Sequence, residues 1–395
     1  MLNINLTSSL SRSTSGYSSP NSISNDGKKI FVVYEINASK SNTLAAELFD
    51  NIDGRLMTNK TLHCDLDSKF IYIDGGKASP CFKKFSILDD NGQNTARLRI
   101  VDCKFNVLSM IQLKDYYAPG FSFNGGSFSE DGKYVAVTYV KNPNYGYDYQ
   151  KSILRIFRTD NLEERWCYEY DGNTGVETRF FNLDKKMYII LSSLGGQYNA
   201  GNQFPKPPAL LKILKLKENS IKLVHELEMP SLFDYDISKK SSTEGRLSHK
   251  SLLILVGTNR ANIKNQIIAQ NKSIPSFLNN DGDEYRIYKF KNKKLKLIYS
   301  HNFDTTIRIK AHNKLTLIQQ SCGSENLGFT ELIETNKYKS IDDGEIKAVL
   351  LSLNNQISNF SSNGEWMIIT GSRTEVMSPN PDQLKNVLLY NISQK

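Results

Sequence analysis

Histidine, cysteine and tryptophan are scarce in this 395-residue chain, at five, five and two residues. The cysteines (Cys64, Cys81, Cys103, Cys167, Cys322) are odd in number and scattered, with no CxxC spacing. A disulfide framework or zinc knuckle is thereby excluded as the organising element. The histidines (His63, His225, His249, His301, His312) are equally dispersed. His63 and Cys64 are neighbours that point to opposite faces of a strand, so they cannot share a metal, and no metal site is expected. No Gly-rich phosphate cradle precedes a helix, and no cofactor is expected. No apolar run approaches the roughly 18 residues that span a bilayer. Met1–Ser24 also lacks a charged segment followed by an apolar one. The expectation is a cytoplasmic protein.

Proline and glycine are few (11 and 24), while 20 tyrosines and 19 phenylalanines supply ample core material. That balance excludes a largely disordered chain. The net charge of +9 is modest for this length. Lysines gather in Lys206–Lys222 and Arg286–Lys296, where they read as solvated strand edges guarded against aggregation. A nucleic-acid surface is the alternative there, but no aromatic recognition motif is interleaved with them.

What is present is a repeat. Phe128-Ser-Glu-Asp-Gly-Lys-Tyr-Val-Ala-Val137 places a tight Asp-Gly turn between two apolar strands. The template recurs from Ile23 and Phe360, and in weaker form from Cys64, Phe181, Leu247 and Ile309. A second strand pair follows each copy: Leu44–Leu62, Ala96–Leu113, Ile153–Tyr170, Leu210–His225, Glu284–Tyr299 and Gly328–Leu353. The sixth of these is expected to turn at Asp342-Asp-Gly344. Four strands make one propeller blade. The reading is all-β: a seven-bladed β-propeller forming one domain over residues 1–395, with blades starting near 20, 62, 125, 177, 244, 305 and 357. The last blade has three strands, so Leu2–Leu6 is expected to complete it against Val387–Ile392 and remove the sheet edge.

The Phe128–Lys133 turn resembles the Phe-Ser-Pro-Asp-Gly-Lys turn of WD-repeat and TolB-type β-propellers. Leu98–Asp102 and Leu154–Phe157 look like the third strand of such blades. The Gly-His and Trp-Asp pairs of WD repeats do not recur. The resemblance implies the fold and a partner-binding role without naming the partner.

In such a fold the hairpin turns emerge on one face and the remaining loops on the other. The long segments 141–150, 195–208, 259–283 and 373–383, with the connections 114–124 and 229–242, all belong to the second face. Insertions concentrated on one face mark a working surface. They carry Tyr116, Tyr117, Tyr145, Tyr147, Tyr149, Tyr198, Phe204 and Tyr235, large rigid side chains suited to binding. No catalytic residue is assigned: Asp131-Gly132 lacks the Ser-x-Asp-x-Gly-x-x-Trp pattern of sialidases, and the first strands contain few carboxylates. The expectation is a non-catalytic scaffold that binds a protein or peptide through the long-loop face. The alternative is a propeller enzyme of hydrolase or lactonase type, or a glycan binder, using the central channel mouth.

Overall fold

The computed structural model describes residues 2–13, 16–38, 41–53, 55–63, 72–90, 95–113, 116–117, 126–141, 151–171, 178–193, 209–229, 234–239, 252–257, 283–303, 306–311, 315–321, 330–334, 339–340, 353–361, 363, 365–373 and 384–394. All of them are strand, turn or irregular. Among them no helix is long and apolar enough to cross a membrane.

Neighbouring strands pair antiparallel, and every sheet but the last is built from consecutive segments. The first sheet runs Gly16–His63, the second Tyr72–Leu113 and the third Tyr116–Asp171. The fourth runs Arg179–Met229, the fifth Asp234–Phe303 and the sixth Thr306–Ser340. In the last sheet, Leu353–Phe360, Trp366–Arg373 and Leu384–Gln394 are joined by Leu2–Ser13. That strand pairs Leu2 with Gln394 and Leu6 with Tyr390, and continues beyond residue 6 to set Ser13 against Leu384.

The expectation of a seven-bladed propeller, one four-strand unit used seven times, is corrected. Among the described residues six sheets have four strands, and the third has five. Its inner edge is broken into Tyr116–Tyr117 and Ser127–Phe128, both against Tyr134–Lys141. The intervening sequence contains Pro119, which lacks a ladder donor, and Gly120, Gly125 and Gly126, which weaken a strand.

Two further readings shift. In the second sheet the first hairpin is Tyr72–Ala78 and Phe85–Asp90, turning at residues 79–84, and not in the copy placed from Cys64, of which residues 64–71 lie outside the described residues. The sixth sheet pairs Thr330–Glu334 with Lys339–Ser340, so its turn falls before residue 339, and Asp342–Gly344 lie outside the described residues.

The contacts gather into two compact units. One comprises Met1–Val137, Arg155–Arg165 and Glu345–Lys395; the other comprises Thr138–Leu154 and Trp166–Gly344. In the first unit, sheets stack through apolar faces. Phe31, Val33, Leu48, Phe82, Phe85, Ile87 and Phe105 join the first and second sheets, with the Phe31 and Phe85 rings 5.0 Å apart. Ile30, Val32, Phe49, Ile368 and Leu389 join the last sheet to the first. In the second unit, Phe181, Tyr188, Ile190, Ile213, Ile254 and Phe290 hold the fourth sheet to the fifth.

The seam between the first and last sheets is closed by side chains at its turn end. Asn363 donates its backbone N–H to Asn25 Oδ1 and its amide to Asn25 O, each at 3.0 Å. The Trp366 ring lies over Gly27, where an added Cβ would sit 2.3 Å from the ring. Gly27 has φ +68°, as does Gly132 in the third sheet, where a Cβ would meet only Ser79 Cβ at 3.9 Å. Gly132→Ala should therefore cost only the left-handed backbone penalty, about 1 kcal/mol. Gly27→Ala adds a steric clash and should lower the melting temperature clearly more than Gly132→Ala in parallel thermal unfolding.

Candidate functional site

Four hairpin turns share one hydrogen-bonding frame, and the candidate site is built from two of them. In the first sheet, Ser24 accepts the N–H of Lys29 and donates its hydroxyl to Asp26 at 2.7 Å; Asp26 also accepts from Lys28 N. In the third, Ser129 accepts from Tyr134 N and donates to Asp131, which also accepts from Lys133 N. In the last, Ser361 accepts from Trp366 N and donates to Asn363, which accepts from Glu365 N. Serine followed two residues later by a short acceptor satisfies the turn's orphan backbone donors.

The second sheet uses the same frame with different chemistry. Ser79 accepts from Lys84 N at 3.1 Å, and Cys81 stands where the other turns place Asp or Asn. Its Sγ lies 3.6 Å from Ser79 Oγ. Phe82 occupies the glycine position at φ 58°. That conformation costs a side chain about 1–2 kcal/mol. The edge-on contact of Phe82 with Phe85 at 5.5 Å and burial among the aromatic rings return a comparable amount.

Between the second and third turns lies a cavity of about 530 Å³. Ser79, Cys81, Lys83 and Lys84 form one wall and Asp131–Tyr134 another; Arg158, Thr159 and Asp160 close it from the third sheet's outer hairpin. Thr159 fixes the three pieces. Its N–H donates to Lys133 O and its hydroxyl to Gly132 O. Lys84 Nζ in turn donates to Thr159 Oγ1 at 3.1 Å. The Arg158 guanidinium is forked onto Asp160, with contacts of 3.0 and 2.6 Å. This pairing holds the Asp160 carboxyl at about 2, well below its ordinary value. Lys133 reaches Asp131 only at 3.9 Å. Lys83 and Lys84 have no carboxylate partner among the described residues. The lining therefore carries four cations and two carboxylates, one of them committed to Arg158.

Cys81 is exposed. Partial burial opposes ionisation of its thiol. The Ser79 hydroxyl, the backbone N–H groups of Lys83 and Cys81 and the Lys83 charge outweigh that, and its pKa falls below the ordinary value. A frame that elsewhere holds a carboxylate thus favours a thiolate. Iodoacetamide should alkylate Cys81 with a pH midpoint below that of a free thiol, and Ser79→Ala should move the midpoint upward. Mass-spectrometric mapping against pH measures both; an unchanged midpoint in Ser79→Ala would mean the hydroxyl plays no part.

The long-loop residues expected to bind are only partly placed. Tyr116 and Tyr117 form the short inner strand of the third sheet, and Tyr235 pairs with Val256 in the fifth. Tyr145, Tyr147, Tyr149, Tyr198 and Phe204 lie outside the described residues. The cavity was missed from sequence because it sits on the short hairpin turns. The available signal was the Ser-x-acceptor spacing, which Ala78-Ser-Pro-Cys-Phe-Lys-Lys84 keeps after losing its Asp-Gly. Among the described residues no group of three or more His, Cys, Asp or Glu side chains is placed to hold a metal ion.

No protein-family model matches the sequence, and no curated protein matches it. Solved structures do. The β-propeller domain of the Trilobed protease from Pyrococcus furiosus is 11% identical with a TM-score of 0.53, over 96% of this chain and 95% of that one. The fold is a β-propeller. Acylaminoacyl peptidase from Pyrococcus horikoshii, 11% identical with a TM-score of 0.52, matches 91% of this chain, which spans 50% of the peptidase's length. An oligogalacturonate lyase solved with manganese is 9% identical with a TM-score of 0.52, over 99% of this chain and 93% of that one. At these identities the likeness shows the propeller architecture alone.

Proposed function

We propose that this propeller is a non-catalytic scaffold that binds a protein or peptide partner. The observation that carries the reading is the cavity between the second and third sheets. Its walls are two hairpin turns and an outer hairpin, cross-tied through Thr159, Gly132 and Lys84. Such a surface meets a partner with reduced ordering cost, because Lys84, Thr159 and Arg158 are already tied in place. Its volume of about 530 Å³ admits a few side chains, and its mixture of lysines, carboxylates and a hydroxyl suits oriented polar contacts. The aromatic residues Tyr145, Tyr147, Tyr149, Tyr198 and Phe204 of the long-loop segments are assigned to a second contact area on grounds of composition; Tyr116, Tyr117 and Tyr235 stand in strands instead.

The test is selection of a displayed random-peptide library on the wild-type protein. Isothermal titration of enriched peptides then compares wild type with a cavity variant, Lys84→Ala/Arg158→Ala, and a loop variant with Tyr145, Tyr147 and Tyr149 changed to Ala. Loss of affinity of about tenfold or more in either variant supports the reading and says which surface is used. A library that yields no peptide dependent on either surface overturns it.

A further inference from the structure

A second charged surface lies in the other compact unit, and strand register creates it. In the fourth sheet Lys215 stands directly opposite Lys222 on one side and Tyr188 on the other. Directly opposed residues of an antiparallel pair share a face, as do alternate residues of one strand. Lys215, Lys217 and Lys222 therefore share a face, and Lys186, two residues before Tyr188, joins them. Ile213 and Tyr188 bury the inner part of that face against Phe290 of the fifth sheet. The lysines occupy its turn end. Lys293 lies in the fifth sheet's outer turn, and its charge is felt at Lys215. The half-buried Lys215 ammonium is held below its ordinary pKa by partial burial and by the charges of Lys186, Lys217, Lys293 and Lys222.

Like charges placed opposite one another destabilise a ladder by a few tenths of a kcal/mol to about 1 kcal/mol. The same strand shows the usual remedy three residues away, where Lys212 meets Glu226 at 2.6 Å. Among the described residues no ion pair joins any of the five clustered lysines to a carboxylate. Asp184 and Glu218 stand in the adjoining turns, and among the described residues neither forms an ion pair with them. The sheet thus carries an unbalanced cluster that lowers its own stability and that an external anion would relieve.

We infer that the cluster of Lys186, Lys215, Lys217, Lys222 and Lys293 is a docking site for an extended acidic segment of a partner polypeptide. Spacing favours that occupant. Lys215 and Lys217 are two residues apart on one strand, roughly 7 Å. An extended peptide with acidic residues at alternate positions repeats its carboxylates at the same interval. Lys222 lies about 5 Å across the ladder from Lys215, within reach of the same carboxylate row. Lysine fits such multivalent contact, being a hydrated point charge on a flexible stem. This site goes beyond the cavity of the first unit and shares no residue with it.

Fluorescence polarisation with a labelled peptide carrying Glu at five alternate positions tests the inference. The probes beside it are its Gln analogue and a single-stranded oligonucleotide of equal charge. The proteins are wild type, Lys215→Glu/Lys217→Glu and Lys83→Glu. The expected result is binding of the Glu peptide that weakens as salt rises, drops about tenfold or more in the double reversal and is unchanged in Lys83→Glu. The double reversal should melt no lower than wild type, since it opposes a carboxylate to Lys222, so lost binding cannot be assigned to unfolding. Equal affinity for the Gln peptide, an unchanged Kd in the double reversal or tighter binding of the oligonucleotide would overturn the inference. Loss limited to Lys83→Glu would also overturn it, while leaving the cavity-based reading intact.

Discussion

The hydroxyl of one serine per turn is the interaction on which the described turn surface depends. Ser24, Ser79, Ser129 and Ser361 are all nearly fully buried. Each accepts a backbone N–H five residues on, and their backbone N–H groups bond back to the carbonyl of that same residue. A buried donor left unmet costs about 1–3 kcal/mol, so the frame fixes where the two strands of a hairpin may end. Everything outside the frame is free to vary, and that is where the chemistry differs: Asp in two turns, Asn in another, Cys in the fourth. The cavity exists because two such rigid turns stand side by side with Thr159 bonded between them and Lys84.

Apolar burial and exposed charge occupy different parts of the described sheets. The inner strands are apolar on both faces, as Ile30 to Val33 and Leu253 to Leu255 are, because sheets cover them on either side. Outer strands keep one wet face. The charged clusters sit where these regimes meet, at the turn ends of the hairpins. Both surfaces with unbalanced charge, around Lys83 and around Lys215, have this origin.

Much of the architecture was legible. The Asp-Gly turns at 26–27 and 131–132, the pair Ala96–Leu113 and the return of the N-terminal strand to the C-terminal segment follow from strand patterning and turn chemistry that act locally. The second hairpin was not, because a phenylalanine holds a conformation that a reader assigns to glycine, and Phe85 and Phe105 supply the compensation from elsewhere in the fold. The uniform four-strand count failed in the third sheet, where Tyr116–Tyr117 and Ser127–Phe128 both pair with Tyr134–Lys141. The lysines of residues 206–222 and 286–296 were visible as composition. Only register shows that Lys215 faces Lys222 while Lys212 finds Glu226. Pairing partners are a property of the assembled sheet, and no local rule sets them.

The pairing of Leu2–Ser13 with Leu384–Gln394 ties together segments as far apart as Thr7 and Leu389, whose hydrogen bond spans 382 residues of sequence. During synthesis the early strand therefore waits, unpaired, until the segment 382 residues further on has emerged. A contact of such long range forms late and slowly. An unmatched edge in a crowded environment can recruit the equivalent strand of a second molecule, exchanging segments between copies. The waiting strand is rich in Ser, Asn and Thr, with few adjacent apolar residues. That composition keeps it hydrated until its own partner arrives, and makes correct closure a matter of timing as much as of affinity.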